Sequence, residues 1–346
     1  MNSGQVKSET ERRVIPVRNP WSGEYDYQIT PPTDEELKAL CNTLRRNQKG
    51  WAQAGLEKRI EVMLRWADEL EKVKDELIEV DSIDTGYCII SKYSPDIVIN
   101  LIRGWCTDAP RILEEARRQG QSTALPSMHY RSQFVPYPLV GVISAWGLML
   151  SMLDTVPALV AGCAVVIKPS ELTPRFIKPM METIQKVPEL AAVLTYIEGD
   201  GQTGQSLINN VDVVAFTGSV PTGRKVAKAC AERLIPVYLE LGGKDPVIVT
   251  PTANIEQAAT AVLRGAVWGT GQVCFSVERI YVHESIHDAF VEELVRQAEE
   301  LTLNYPDPRT GDIGPFIMEQ QAAIVDAHLE DALAKGAVLQ TGGKSE

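Results

Sequence analysis

The sequence predicts an α/β fold built on a parallel sheet, and three observations carry that expectation. Six short β-branched runs succeed one another in mid-chain: "LVGVIS" (139–144), "AVVIK" (164–168), "VLTYIEG" (193–199), "VDVVAF" (211–216), "VYLEL" (237–241) and "DPVIVT" (245–250). Longer stretches of helical character, such as 175–188 and 222–233, separate most of them. Alternating strands and helices imply a parallel sheet with helices on its faces, which binds ligands at the carboxyl ends of its strands. The composition agrees: 44% of the 346 residues are hydrophobic and 23% charged, an ordinary globular balance. That length suggests about two domains at ~150 residues each.

Ahead of the sheet, residues 34–80 read as helices, with Ile60, Met63, Leu64, Ala67, Leu70 and Leu77 recurring at helical spacing among charges. A further helix is expected from Arg103 to Arg118, ending near Gly120. Prolines break "QSTALPSMHYRSQFVPYPL" (121–139) into two short extended runs, which suggests an exposed hairpin or arm. After the sheet come helix 255–268, a loop holding Cys274, strand 278–283, helix 284–303, a Pro/Gly/Asp loop at 304–315 and helix 317–335.

A net charge of −12 argues against nucleic-acid or anionic-membrane partners, which favour a basic face. The first twenty residues carry no apolar core of a signal peptide. The most apolar long stretch, 148–167, is interrupted by Ser151, Asp154 and Pro157, short of the roughly 18 apolar residues a membrane helix needs. The six cysteines (Cys41, Cys88, Cys106, Cys163, Cys230, Cys274) are scattered without a CxxC, so they read as reduced thiols of a cytoplasmic protein. His129, His283, His287 and His328 do not cluster with them, so no metal site is expected.

Five stretches can carry chemistry. "EGDGQTGQ" (198–205) is a formal GxGxxG through Gly199, Gly201 and Gly204; it is weak as a phosphate loop, because no clearly periodic helix opens behind it. "VVAFTGSVPTGRKV" (213–226) runs from a strand through Thr217, Gly218 and Ser219 into a helix. Free N–H groups at such a helix start suit a diphosphate, although Ser219 reads equally as an ordinary N-cap. "IKPSELTP" (167–174) offers Lys168 and Glu171 where a nucleotide ribose would lie, a carboxylate there favouring NAD over NADP; the alternative is a surface ion pair. "YLELGGKDP" (238–246) looks like a buried strand carrying Glu240, and a buried carboxylate suits a general base of raised pKa. "WGTGQVCFSVERIYV" (268–282) holds Cys274, either a nucleophile or a small core residue, as free cysteines often are.

Together these stretches resemble the aldehyde dehydrogenase superfamily. The ordered matches are "NPWSGE" (19–24), "GVISAW" (141–146), "PALVAGCAVVIKPSELTP" (157–174), "FTGS" (216–219), "LELGGKDP" (239–246) and "GQVC" with Arg279. The resemblance implies a Rossmann-like NAD(P)-binding domain over 1–242, with 119–138 as an oligomerisation arm, and an incomplete α/β thiol domain over 243–346. It implies Cys274 as the nucleophile that adds to an aldehyde and Glu240 as the base. Ser144, Trp146, Lys168, Glu171, Gly201, Thr217, Gly218, Ser219, Leu241 and Gly242 would hold NAD, with NADP as the alternative, and the protein would form a homo-oligomer. Leu148, Met149 and Phe275 suggest that part of the aldehyde funnel is apolar.

Two departures stand out. Relatives read Trp-Asn where this chain has Trp146-Gly147, and the Asn amide donates to the developing oxyanion. Relatives also continue past the segment matching "VLQTGGKSE", so only the N-terminal portion of the catalytic domain is expected here.

Overall fold

A computed structural model describes residues 12–115 and 118–344. The stretch read as lacking a signal peptide lies largely outside them. An antiparallel hairpin of β1 (Ile15–Arg18) and β2 (Tyr25–Ile29) leads into three helices, α1 (Asp34–Gln53), α2 (Leu56–Lys72) and α3 (Lys74–Asp84). A capping box starts α1: Thr33 Oγ1 accepts from the Glu36 N–H at 3.2 Å, and Glu36 accepts from the Thr33 N–H at 3.0 Å. Met63, Ala67, Leu70 and Leu77 are buried as their spacing predicts, whereas Leu64 is exposed. The next helix, α4 (Ser94–Glu115), starts nine residues before the predicted Arg103. Pro95 at its first turn is a helix-start signal that the reading passed over.

The predicted arm contains a separate two-stranded antiparallel sheet, β3 (Gln119–Gln121) with β4 (His129–Arg131). Around it Leu125, Met128, Tyr130, Phe134 and Val135 are exposed.

The main sheet assembles from β5 (Leu139–Ile143), β6 (Ala164–Lys168), β7 (Leu194–Tyr196), β8 (Val213–Thr217) and β9 (Val237–Glu240). All neighbours are parallel, in the order β7-β6-β5-β8-β9. Its connections carry α5 (Thr155–Ala161), α6 (Ile177–Gln185), α7 (Pro188–Ala191), α8 (Gly201–Ile208) and α9 (Val220–Glu232). Every residue of β5, β6 and β8 is buried, the expected state of strands covered by helices on both faces. Helix α8 corrects the reading of 198–205. It opens directly on Gly201, with Asp200 accepting from the N–H groups of Gln202 and Thr203; the N-cap aspartate was the available signal.

The sixth predicted strand, β10 (Asp245–Val249), leaves this sheet and pairs in parallel with β11 (Val277–Val282) across α10 (Ile255–Val267). Beyond lie α11 (His287–Glu299) and α12 (Gln320–Ala334). One apolar core unites α1–α9 with the main sheet, and a small second core gathers Val249, Ala259, Val262 and Phe290. Among the described residues, no helix is long and apolar enough to cross a membrane.

Candidate active site

Two adjoining cavities open at the carboxyl ends of the main-sheet strands. The first, of about 510 Å³, is lined by Ser144, Lys168, Glu171, Gly201, Gly204 and Lys225 among others. The second, of about 350 Å³, is lined by Asp81, Gly147, Met149, Leu241, Gly242 and Cys274 among others. Ala145, Trp146, Thr217, Gly218 and Ser219 line both and form their common wall.

In the first cavity Lys168 is 3% exposed, so it is not half of a surface ion pair. Its ammonium donates to the carbonyls of Pro169 (2.7 Å) and Gly199 (2.8 Å) and stands 3.6 Å from Glu171. Burial lowers its pKa, and the Glu171 carboxylate opposes that shift. Ser219 caps α9, its Oγ accepting from the Thr222 N–H at 3.4 Å and donating to Thr222 Oγ1 at 3.1 Å. Gly218 lets the backbone approach the Phe216 ring closely, since a Cβ there would stand 2.6 Å from it and force the ring to move. Ser144 is 5% exposed and its Oγ has no hydrogen-bond partner, an orphan hydroxyl on the wall of a cavity. A helix start, an enclosed ammonium beside a carboxylate and that hydroxyl suit the diphosphate and ribose of a dinucleotide.

In the second cavity the loop before Cys274 is tightly wound. Gly269, Thr270 and Gly271 have φ of +62°, +58° and +69°, and for the β-branched Thr270 this backbone is strained. Segment 314–317 holds the loop in place: Thr270 Oγ1 accepts from the Gly314 N–H (3.2 Å) and Gln272 Oε1 from the Ile317 N–H (3.0 Å). Cys274 is exposed, whereas the other five cysteines are buried. Burial pushes the thiols of Cys41, Cys106 and Cys163 up to about 11 and those of Cys88 and Cys230 upward, so those five are poor nucleophiles. The core-filler alternative for Cys274 is therefore set aside.

Glu240 requires a correction. It lies on neither cavity wall, and it is exposed rather than buried. Strand β9 is the sheet edge, and the two-residue alternation puts Glu240 on the same side as the exposed Tyr238. Its carbonyl is nonetheless held by the Gly218 N–H at 3.0 Å, which keeps Leu241 and Gly242 against the common wall. Among the expected funnel residues, Met149 lines the second cavity, whereas Leu148 is wholly buried and Phe275 packs against Trp268 at 5.9 Å.

Sequence reasoning missed Asp81, Ser94, Gln272 and Met318 in the second cavity and Lys225 in the first. Asp81 had a signal: with Asp84 it places two acids one turn apart on a helix that must bury that face. Asp81 is 1% exposed, and burial pushes its carboxyl up to about 6, against hydrogen bonds from the Leu148 N–H, Ser94 and Ser91. Asp84 rises to about 7 by burial, against the pull of Arg175.

The Aldehyde dehydrogenase family profile matches residues 6–346. A protein of Mycolicibacterium smegmatis named as a putative NADP-dependent succinate-semialdehyde dehydrogenase is 34% identical over 337 residues, which is 96% of this chain and 65% of that protein. The solved structure of "Putative Aldehyde Dehydrogenase PutA" from Anabaena variabilis superposes with a TM-score of 0.90 at 48% identity, covering 96% of this chain and 71% of that one. Betaine aldehyde dehydrogenase from Staphylococcus aureus, solved in complex with NAD+, gives 0.87 at 27% identity, covering 96% and 67%. The chain spans about two thirds of the length of the curated relatives it matches. With sheet order, paired cavities, an exposed cysteine and a family profile in agreement, the chain belongs to the aldehyde dehydrogenase family.

Proposed function

We propose that the chain carries the nucleotide site and the thiol of an enzyme that oxidises an aldehyde to a carboxylic acid. The observation that carries this reading is the shared wall, which sets a cavity of about 510 Å³ directly against one that contains an exposed cysteine. Lys168, Glu171, Ser144 and Gly201 would hold the ribose and adenine side, Ser219 the diphosphate, and Trp146, Thr217, Gly218, Leu241 and Gly242 the nicotinamide end. When bound, the dinucleotide supplies the hydride acceptor. NAD is favoured, because Glu171 suits ribose hydroxyls and repels a 2′-phosphate. Relatives named or solved with NAD+ and with NADP make both relevant to test.

Cys274 Sγ would add to the aldehyde carbon as thiolate, giving a thiohemiacetal, and water would finally hydrolyse the thioester. Glu240 would take the proton from the thiol or the water; its exposed side chain sits one residue before Leu241, which lines the second cavity. Residues 1–242 would form the nucleotide domain and 243–346 part of the thiol domain. The exposed 119–138 hairpin would join copies of a cytoplasmic homo-oligomer.

Incubation with NAD and a panel of short aldehydes should give NADH and a mass-resolved acyl adduct on Cys274, both lost in Cys274→Ala. NADH formation that survives in that variant would remove Cys274 from the mechanism. Gly147, which has no side-chain donor, favours a second reading as a catalytically impaired, nucleotide-binding or assembly subunit. Calorimetric NAD binding without any acyl adduct would select it.

A further inference from the structure

Helix α3 places Asp81 and Asp84 one turn apart, 1% and 0% exposed, with a single guanidinium, that of Arg175, paired to Asp84. Among the described residues Asp81 has no cationic partner, and a buried surplus of negative charge is costly. Its surroundings show what the arrangement does. Asp81 Oδ1 accepts from the Leu148 N–H at 3.0 Å, and Asp84 Oδ2 accepts from the Arg175 N–H at 2.8 Å. The two loops gripped in this way are joined to each other, since Thr173 Oγ1 accepts from the Gly147 N–H at 2.9 Å. Arg175 also pairs with Asp26, which ties the β1–β2 hairpin to the same loops.

The turn at the centre of this ring needs external support. Gly147 has φ +85°, and successive N–H groups, those of Gly147 and Leu148, find their partners in side chains of other elements. Gly147 and Asp81 both line the cavity that contains Cys274. A Cβ at 147 would stand 3.8 Å from Asp81 Oδ1, so that carboxyl lies directly beside the Gly147 turn. Its near-complete burial excludes Asp81 from ready contact with substrate. We propose that Asp81 and Thr173 are positioning residues that clamp the Gly147–Leu148 turn from two sides and so set the shape of the cavity beside Cys274.

The proposal rests on Cys274 as the nucleophile, and the test separates the two. Asp81→Ala and Thr173→Val each remove one partner of the turn, whereas Asp81→Asn keeps the acceptor oxygen. Each of the first two should lower kcat/KM about 10²-fold, the scale of a 1 Å misplacement, with NAD affinity by calorimetry unchanged; Asp81→Asn should stay close to wild type. The double variant Asp81→Ala/Thr173→Val should lose little more than either single one, because both act on one turn. Additive losses, a loss in Asp81→Asn equal to that in Asp81→Ala, or a parallel fall in NAD affinity would each overturn the clamp. If wild type oxidises no aldehyde, the functional reading fails while the clamp is still judged by iodoacetamide labelling of Cys274. Labelling should be faster in Asp81→Ala and Thr173→Val and unchanged in Asp81→Asn, and equal rates throughout would reject the proposal.

Discussion

Gly147 is at once the chief departure from the family pattern and a residue whose backbone has a reason to be glycine. At φ +85° an L side chain is disfavoured by about 1–2 kcal/mol, so Gly147→Ala should lower stability by about that amount in chemical denaturation. Asn tolerates this region better than most residues, and a Cβ there meets only Asp81 Oδ1, at 3.8 Å. Gly147→Asn should therefore fold and, if its amide reaches the oxyanion, raise kcat by up to ~10²-fold. Unchanged kcat in a folded variant would show that this donor is not limiting. Asp81 gives a pH-dependent expectation. Its carboxyl, pushed up to about 6 from an ordinary 3.8, favours the folded state most when protonated. That stability is fully present below about pH 4 and is lost as pH rises through 6, a loss of about 3 kcal/mol at 1.36 kcal/mol per pKa unit. Asp81→Asn should accordingly have a higher Tm than wild type at pH 8 and a similar one at pH 4. Scans showing the same difference at both pH values would contradict this.

At the scale of elements, the first cavity depends on where helices start. Ser219 both caps α9 and lines the cavity, so Ser219→Ala should cost about 1 kcal/mol of stability and also weaken NAD binding in calorimetry. A stability loss with unaltered affinity would reduce Ser219 to a cap. Glu171 lies in the same cavity, 3.6 Å from Lys168, and Glu171→Gln should shift the ratio of NAD to NADP affinity toward NADP. An unmoved ratio would place the ribose elsewhere. Strand positions were legible because β-branched runs such as "AVVIK" have few other uses. The start of α4 and the existence of α8 were not, because periodicity is weak at helix ends; their marks were single residues, Pro95 and Asp200.

Over the whole molecule, burial is uneven. Strands β5, β6 and β8 of the main sheet are enclosed, whereas β10 and β11 present outward the paired Ile248 and Tyr281, 76% and 54% exposed. Such an apolar pair on a two-stranded sheet promotes self-association. Ile248→Lys/Tyr281→Lys should stay monodisperse at concentrations where wild type sediments as larger species, with NAD affinity retained. Wild type that is already monodisperse there would dismiss the idea. Sequence alone determined the alternating α/β order and the strands of the parallel sheet, and it singled out Ser144, Lys168, Glu171, Gly201 and Ser219, which the fold brings to one cavity. The element order and the strands are local matters of side-chain type, turn chemistry and spacing, which short-range sterics and hydrogen bonding dictate, whereas Ser144 and Gly201 came from the resemblance to the family. Only the tertiary structure decided that Glu240 faces solvent, that Cys274 alone among the six thiols is exposed, and that Asp81, 193 residues before that cysteine, reaches its cavity. Exposure and proximity depend on which surfaces the packed elements cover, and that is a property of contacts distant in the chain.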